Sequence, residues 1–342
     1  MDLLPNDEQQ EIIDQSAAFL ADQLPLRRLH ELEGAGERIS DTTWQAIAEL
    51  GWFGLGLEEE RGGVGFTLAE EALLVREIGR SLGPPALLAT LLAARVAAVA
   101  GATELRDAFL GGSARAAFAE SLEAPAALGK KISGEFHIFD PEEADFLLIV
   151  TREGAALVAA DGKGAARSAV CVDDSVALSV ASLDGVAAAA YVPSSEDPIH
   201  IRATVLSAAS LVGIAEAVRD DAVAYAIERV QFGKPIGVFQ AIKHPCADMA
   251  VRCEAALSQT LMASLHARDS LPDAEFQAAS AKVVASMAAT RGAAANVQIH
   301  GGYGFTTEYD AQRFVKRAHV VDVLAGSGRS RLGDVLAAPT PT

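Results

Sequence analysis

Cysteine is scarce in this sequence, and its few copies are not spaced as a metal site or a disulfide framework requires. The chain has three cysteines in 342 residues. These are Cys171, Cys246 and Cys253, and no two of them form a C-x-x-C pair. Three thiols cannot all pair with one another, so we expect reduced, mostly buried side chains.

Basic residues are also few. The sequence has 28 lysines and arginines against 46 acidic residues, which gives a net charge of −18. Such a charge repels the phosphates of nucleic acids and the surface of anionic membranes, and no basic stripe offsets it. We therefore expect no nucleic-acid partner and no membrane partner.

A third absence concerns long apolar runs and a leader. The first eight residues carry acids where a signal peptide carries positive charge, and no apolar run reaches the length of a membrane span. We expect a globular protein that stays in the cytoplasm. Half of its residues are hydrophobic, which suffices for a large core in two or three domains or in one multi-layer unit.

Hydrophobic periodicity divides the chain into three regions, and the predicted fold class is α+β, mainly α. Residues 1–115 place apolar side chains at steps of three and four, which predicts an all-helical first domain. Residues 116–201 contain short β-like runs between Gly, Asp and Glu turns, which predict a small, shortened β domain. Residues 202–342 return to Ala-rich helices and predict an antiparallel four-helix bundle.

The individual elements follow from the same patterns. The β-like runs are Phe136 to Phe139, Phe146 to Val150, Ala156 to Ala160, Ser168 to Val172, Val176 to Val180 and Ala187 to Val192. The bundle helices are predicted at about 203–230, 240–268, 273–300 and 309–324.

Two segments rich in glycine and aromatic residues follow two of the predicted helices. One runs from Arg229 to Gln240 and the other from Gln298 to Gly304. Arginine offers a fork of N–H donors to phosphate, amides bond polar atoms with either end, and glycine admits a ligand close to the backbone. Together the segments predict a site for a charged dinucleotide. Taken singly, Arg229 could merely cap its helix and the glycines could be C-caps.

In this order of domains and motifs the chain resembles the acyl-CoA dehydrogenase family. Leu50 to Gly65 is similar to the family's "GW.gl..pee.GG.G" loop, and Arg76 to Arg80 is similar to its "eElGr" helix. The two segments described above, extended by Thr307-Glu308-Tyr309, match the family's two most specific C-terminal motifs almost letter for letter.

The resemblance implies FAD as the cofactor, lying between the β domain and the bundle, with its ADP half reaching a neighbouring subunit. Each contact can be assigned by position in the motif. The implied FAD-binding residues are Arg229 and Gln231 at the pyrophosphate, Phe232, Phe239 and Gln240 near the adenine end, and Gln298, Gly301 and Gly302 along the same end.

The resemblance also implies a reaction in which a base removes the α proton of an acyl-CoA while a β hydride passes to the flavin, giving a trans-2-enoyl-CoA. An electron-transfer flavoprotein is the usual acceptor in such enzymes. The base is normally a glutamate, because burial beside an apolar substrate raises a carboxyl pKa toward neutrality. The family's base position falls on Ala325, and the second location that some members use falls around Ala203 and Thr204. We therefore predict no catalytic residue in this chain.

Carboxylates elsewhere are weaker candidates, Asp322 for the base and Glu58 to Glu60 for a metal site. Asp322 lies three residues before Ala325, but a one-turn displacement moves a carboxylate by roughly 5 Å, too far for the same proton. Glu58 to Glu60 could suggest a metal site, yet consecutive carboxylates in a loop without histidine are usually just solvated. We predict no metal.

The segment expected to hold the flavin ring is altered as well. Residues 117–125 keep Glu120 but lose the glycine-serine part of the family pattern. We therefore interpret the chain as one subunit of a heteromeric α2β2 acyl-CoA dehydrogenase, similar to those that act on steroid and other bulky acyl-CoAs, whose related partner supplies the base and the flavin-ring pocket. A self-sufficient homotetramer with a non-standard base and a non-catalytic assembly subunit remain as alternatives.

Overall fold

The computed structural model describes residues 3–31, 39–123, 127–163 and 166–338. The chain forms two compact units. The bundle unit contains the residues up to His30, residues 72–83 and the residues from Thr204 onward, and the sheet unit contains residues 31–71 and 84–203.

Helices make up most of the described chain, and strands are concentrated in its middle. The helices are α1 (Asp7–Gln23), α2 (Asp41–Glu49), α3 (Leu68–Arg80), α4 (Pro85–Val99), α5 (Thr103–Leu110), α6 (Ile199–Glu228), α7 (Gln240–Arg268), α8 (Ala274–His300), α9 (Ala311–Val323) and α10 (Gly328–Ala337). The strands are β1 (Ala116–Ser121), β2 (Lys131–Phe139), β3 (Phe146–Val150), β4 (Gly154–Ala159), β5 (Arg167–Ala169), β6 (Leu178–Ala187), β7 (Ala190–Pro193), β8 (Val230–Gln231) and β9 (Lys234–Pro235).

A seven-stranded sheet forms the centre of the sheet unit, with the strand order β5-β6-β2-β1-β3-β4-β7. β1 runs parallel to β3, and the other pairs are antiparallel. Phe136 and Ile138, two residues apart on β2, point into the same buried core, as a period of two requires. The apolar helix α4 packs against β1, where Thr90 Oγ1 accepts a hydrogen bond from the Ala116 N–H at 3.0 Å.

The strands agree with the predicted runs in type and differ from them in their ends. β3 spans the predicted residues, whereas Ser168 to Val172 forms a strand only as far as Ala169. The run predicted to begin at Val176 begins at Leu178 and continues to Ala187, because it pairs along the length of β2. β1 is an additional strand, which its alanines do not predict and which its pairing with β2 and β3 imposes.

The bundle unit contains four long helices where the sequence predicts them. These helices are α6, α7, α8 and α9, whose ends lie within about four residues of the predicted ones. The short helix α10 is an addition, and it begins where the Ser327 hydroxyl accepts a hydrogen bond from the Ser330 N–H at 3.2 Å.

Two glycines allow α3 and α6 to cross with their backbones in contact. A Cβ atom added to Gly213 of α6 would lie 1.9 Å from the Arg76 carbonyl oxygen, and one added to Gly79 of α3 would lie 2.1 Å from the Ser210 carbonyl oxygen. No side chain fits in either place. The helix of the predicted "eElGr" motif is thus fixed to the centre of the bundle unit by its glycine.

Charged side chains surround this crossing. Glu216 of α6 lies 3.1 Å from Arg76 Nε and 3.3 Å from Arg80 Nη1, and Arg80 Nη2 lies 2.8 Å from Asp220. Burial raises the pKa of Glu77, although the neighbouring arginines act in the opposite direction. The network satisfies groups that would otherwise be buried without partners.

α6 is long and apolar enough to cross a membrane by length and composition, although no such segment is predicted from the sequence. Within the structure, 83% of its 18-residue apolar window is buried. The side chains of α6 therefore find their apolar surroundings inside the protein, as the central helix of a core does.

Replacing Gly213 with Ala is expected to lower the free energy of unfolding by at least about 2 kcal/mol, because the new methyl group meets a backbone carbonyl that cannot move independently. Thermal unfolding of the purified chain measures the effect. The control is Gly333→Ala in the exposed part of α10, where no atom lies within 4 Å of the added Cβ, and where the change should raise stability by up to about 1 kcal/mol. Equal stability of the two variants would contradict the close crossing.

Candidate functional site

The first of the two predicted segments is a short hairpin that follows α6. Val230 and Gln231 pair with Lys234 and Pro235. The two residues of the turn, Phe232 and Gly233, have φ angles of 52° and 78°, as a two-residue turn of type I′ requires. Glycine adopts this conformation freely, but for phenylalanine it costs about 1 kcal/mol or more.

The side chains of this segment project into solvent. Phe232 is 89% exposed, and Arg229, Gln231 and Gln240 are exposed as well. Phe239 is half-buried, and its ring meets that of Phe232 edge to face at 6.1 Å. Among the described residues, the guanidinium of Arg229 has no hydrogen-bond or ion-pair partner. A strained, exposed aromatic beside an unpaired cation is better explained by a ligand or a second chain than by internal packing.

The second segment begins at the C-terminus of α8. Gly301 has φ 63° and ψ −143°, a backbone conformation that is essentially restricted to glycine. Gln298, Gly301 and Gly302 are exposed, and no atom lies within 4 Å of a Cβ added to either glycine. Gly304 differs, because a Cβ there would lie 2.8 Å from the Cβ of His300. Internal packing therefore explains why residue 304 is glycine. It does not explain the glycine at 302, where a closely bound ligand would require the small residue.

Buried and half-buried side chains join the helices from which these segments emerge. The ring of Tyr225, on α6, stacks on that of His300, the last residue of α8, with 4.0 Å between centroids. His300 Nε2 lies 2.9 Å from the Tyr309 hydroxyl, which donates to Asp221 Oδ1 on α6 at 2.8 Å. Asn296 contacts both of the other groups. Its side-chain Nδ2 donates to Asp221 Oδ2 at 2.7 Å, and its backbone carbonyl oxygen lies 2.9 Å from His300 Nδ1. We call Asp221, Asn296, His300 and Tyr309 the polar ring.

Asp221, Tyr225 and Asn296 are functional candidates that the sequence motifs do not single out. A signal for them exists, because Asp221 and Tyr225 on α6 and Arg229 directly after it are spaced by four residues. Asn296 and His300 have the same spacing on α8.

The turn between α9 and α10 contains Ala325, which is 5% exposed and has a φ of 57°. Beneath it, the fully buried Lys282 donates hydrogen bonds to the carbonyl oxygens of Val321 and Leu324, both at 2.9 Å, and to the Ser207 hydroxyl. An ammonium group thus satisfies carbonyls at the C-terminus of α9.

Asp322 is engaged in the same turn. Its Oδ1 accepts hydrogen bonds from the Ser286 hydroxyl at 2.5 Å and from the Gly328 N–H at 2.9 Å. These contacts attach the first residue of α10 to α8 and α9, so the carboxylate has a structural role in the turn.

The second location predicted for a base, around Ala203 and Thr204, holds no carboxylate either. Ala203 and Thr204 are buried, and the neighbouring Arg202 forms an ion pair with Glu71. Glu71 also accepts a hydrogen bond from the Gly56 N–H at 3.2 Å. Both oxygens of the Glu71 carboxylate therefore have partners within the chain.

Two further sequence features concern the altered segment and the Glu58 cluster. Residues 124–126, part of the altered segment, are outside the described residues. Glu58 faces Arg95 and Arg61 at 3.6 and 3.7 Å. In the part of the chain that the structure describes, no group of three or more His, Cys, Asp or Glu side chains could hold a metal ion.

Comparison with known proteins identifies the relatives of this chain. Residues 6–117 match the family model of the acyl-CoA dehydrogenase N-terminal domain, and residues 202–338 match that of the C-terminal domain. Acyl-CoA dehydrogenase IpdE2 of Mycobacterium tuberculosis is 31% identical over 93% of this chain and 92% of its own length. The chain belongs to the acyl-CoA dehydrogenase family.

Further relatives extend the comparison. Acyl-CoA dehydrogenase FadE34 of M. tuberculosis is 32% identical over 88% of this chain, which matches only 43% of FadE34. A solved structure, "Tcur3481-Tcur3483 steroid ACAD G363A variant", superposes with a TM-score of 0.84 at 27% identity, covering 97% of this chain and 98% of that one. Butyryl-CoA dehydrogenase of Megasphaera elsdenii, at 24% identity and a TM-score of 0.80, has the same fold over 98% of both chains.

The family and the fold class predicted from the sequence are thus confirmed. The order of helical domain, sheet and C-terminal helices is that of an acyl-CoA dehydrogenase. The hairpin and the turn after α8 contain the two segments whose sequences resemble the family's C-terminal motifs, and the turn at Ala325 is where the same resemblance predicts the usual base.

Replacing Phe232 with Asn is expected to leave the free energy of unfolding of the isolated chain within about 0.5 kcal/mol of the original value. Asparagine tolerates the left-handed conformation, and that relief offsets the lost contact with Phe239. The control is Phe136→Asn, in the fully buried sheet core, where the same change should cost about 3 kcal/mol or more. A comparable loss at Phe232 would show that the isolated chain already buries this ring.

Proposed function

We propose that this chain is the base-lacking subunit of a heteromeric acyl-CoA dehydrogenase, which converts an acyl-CoA to a trans-2-enoyl-CoA and shares FAD with a related subunit. The observation that carries the proposal is a contrast between two parts of the site. The nucleotide motifs are complete and exposed, whereas neither base position holds a carboxylate.

The residues present fit the nucleotide end of FAD. Arg229 offers an unpaired guanidinium to a pyrophosphate, and exposed Gln231, Gln240 and Gln298 offer donors and acceptors to polar groups. Open space at Gly301 and Gly302 admits a ligand against the backbone. Phe232 and Phe239 offer apolar surface near the adenine. FAD, when bound, would accept the hydride from the β carbon of the substrate.

Exposure of these residues supports sharing of the site. Charge-assisted hydrogen bonds to phosphate are weak in open solvent and strengthen when water is excluded. Arg229 and Phe232 lie open in the single chain, so a second chain must cover them before they hold a cofactor tightly. The solved steroid ACAD with 27% identity is named by two designations, Tcur3481 and Tcur3483.

Proton abstraction has to come from the partner in this proposal. The methyl group of Ala325 accepts no proton, and the carboxylate of Asp322 is already bound to Ser286 and Gly328. What the structure shows at that turn is a closed backbone, in which Lys282 donates hydrogen bonds to the carbonyl oxygens of Val321 and Leu324. A base that the partner contributes would need apolar surroundings to raise its carboxyl pKa.

The proposal includes an electron-transfer flavoprotein as the electron acceptor and a cytoplasmic location, as predicted from the sequence. The proposed substrate class is an acyl-CoA thioester, without a particular acyl chain. A net charge of −18 disfavours direct attachment of the chain to anionic surfaces.

Purification with and without the related subunit tests the proposal. The isolated chain is expected to be colourless or poor in flavin and to be inactive, because its nucleotide motifs are open to solvent. Co-expression with the related subunit should give a yellow complex that reduces a dye acceptor in the presence of a suitable acyl-CoA. A yellow, active homotetramer formed by this chain alone would refute the shared site. If Arg229→Ala left the flavin content of the complex unchanged, the chain would instead be an assembly subunit.

Asp322→Asn separates the proposal from a self-sufficient enzyme. In the active complex, the change should leave turnover per bound flavin within about threefold, because a base elsewhere does the chemistry. It should lower stability by about 1 to 2 kcal/mol, since two donors lose a charged acceptor. Thermal unfolding and steady-state kinetics give the two values. A fall in turnover of about 10²-fold or more, the range for loss of a catalytic base, would identify Asp322 as that base.

A further inference from the structure

We propose that the polar ring holds His300 as an imidazolium ion, paired with ionised Asp221 through Tyr309, and that this ion pair, buried at His300 and partly exposed at Asp221, positions the glycine turn at the nucleotide end of the site. The positioning role rests on the proposed function, whereas the protonation state of His300 does not.

The proton count follows from the donors and acceptors. His300 Nδ1 lies 2.9 Å from the carbonyl oxygen of Asn296, which can only accept, so Nδ1 carries a hydrogen. The Tyr309 hydroxyl has one hydrogen and donates it to Asp221 Oδ1. His300 Nε2 lies 2.9 Å from that same hydroxyl oxygen and must therefore donate to it. A histidine that donates from both ring nitrogens is an imidazolium.

With the same number of protons, His300 could be neutral only if Asp221 were protonated. Asp221 would then donate to the Tyr309 hydroxyl oxygen, and the Tyr309 hydroxyl would donate to His300 Nε2. The surroundings of Asp221 favour the ionised form. Its two oxygens accept from the Tyr309 hydroxyl and from Asn296 Nδ2 at 2.8 and 2.7 Å, and hydrogen bonds of this kind stabilise a carboxylate. Burial and the Asp221 carboxylate raise the pKa of Tyr309, so this hydroxyl keeps its proton and remains a donor.

The imidazolium is stabilised from two further directions. The side chain of His300 is fully buried, and the distance from its Nε2 to Asp221 Oδ2 is 3.8 Å, so the opposite charge lies close by. The stacked ring of Tyr225, 4.0 Å away, offers its π face to the cation. A buried charge with these partners is a fixed part of the structure.

The ring lies directly beneath the proposed nucleotide contacts. His300 immediately precedes Gly301, and Gln298 lies two residues before His300. Tyr225, which stacks on His300, lies one helical turn before Arg229. The ion pair therefore sets the end of α8 against the end of α6, and with it the distance between Gln298 and Arg229.

Tyr309→Phe is the test, because it removes one hydroxyl and retains the aromatic ring. Tyr191→Phe, on β7 in the sheet unit, is the matched control. In the isolated chain with ¹⁵N-labelled histidine at pH 7, we expect His300 to show two protonated ring nitrogens with similar shifts. We expect widely separated shifts, those of a neutral ring with only Nδ1 protonated, in Tyr309→Phe. The His300 signals are assigned by their loss in His300→Gln. A neutral His300 in the unaltered chain would overturn the ion pair.

The positioning role is tested in the co-expressed complex by FAD titration after removal of the flavin. Tyr309→Phe should weaken FAD binding about tenfold, the effect of one lost buried hydrogen bond to a charged network, while Tyr191→Phe should leave it unchanged. Arg229→Ala serves as the reference. If Arg229→Ala weakens binding and Tyr309→Phe does not, the positioning role is refuted. If neither does, the proposed function fails, and the nitrogen spectra still decide the charge of His300.

Discussion

The crossing of α3 and α6 is the constraint on which the bundle unit depends. At Gly79 and Gly213 the two backbones touch, with carbonyl oxygens occupying the positions that side chains would take elsewhere. A contact of this kind permits no sliding and no substitution, because packed interiors behave as rigid solids. It fixes α6 at Gly213, and Arg229 follows 16 residues later, about 24 Å along a helix that extends the rigidity of the crossing to the hairpin.

Two adjacent aspartates show how α6 serves both ends of this arrangement. Asp220 turns toward Arg80 on α3 and belongs to the charged network around the crossing. Asp221, about 100° further round the helix, turns toward Tyr309 and Asn296 and belongs to the polar ring. One helix is therefore held on one side by α3 and on another by α8. These contacts set the position of the two candidate segments, since the side chains of the segments themselves touch little within the chain.

Sequence patterns predict the parts of this structure that depend on local chemistry. The run Phe146 to Val150 is β-branched and aliphatic and becomes β3 without change, and the four long helices lie near their predicted positions. Strand β1 is rich in alanine and exists because β2 and β3 pair with it from both sides, a tertiary effect that no local pattern contains. In the site, the motifs identify Arg229 and Gln298 as candidates, whereas the polar ring depends on which helix faces meet. Asp221 and Tyr309 are 88 residues apart, so their pairing becomes visible only in three dimensions.

In the proposed complex, the distribution of burial in the site indicates what the partner would have to contribute. The polar ring is built from buried or half-buried groups, whereas Phe232, Val230 and Ile227 expose 89%, 54% and 66% of their surface. Covering three such side chains would yield about 1 to 2 kcal/mol each, and association alone costs about 4 to 15 kcal/mol in lost motional freedom. These three side chains cannot by themselves hold a partner. The proposed complex would therefore have to bury a much wider surface than the hairpin, and bound FAD would add its own interactions to the assembly.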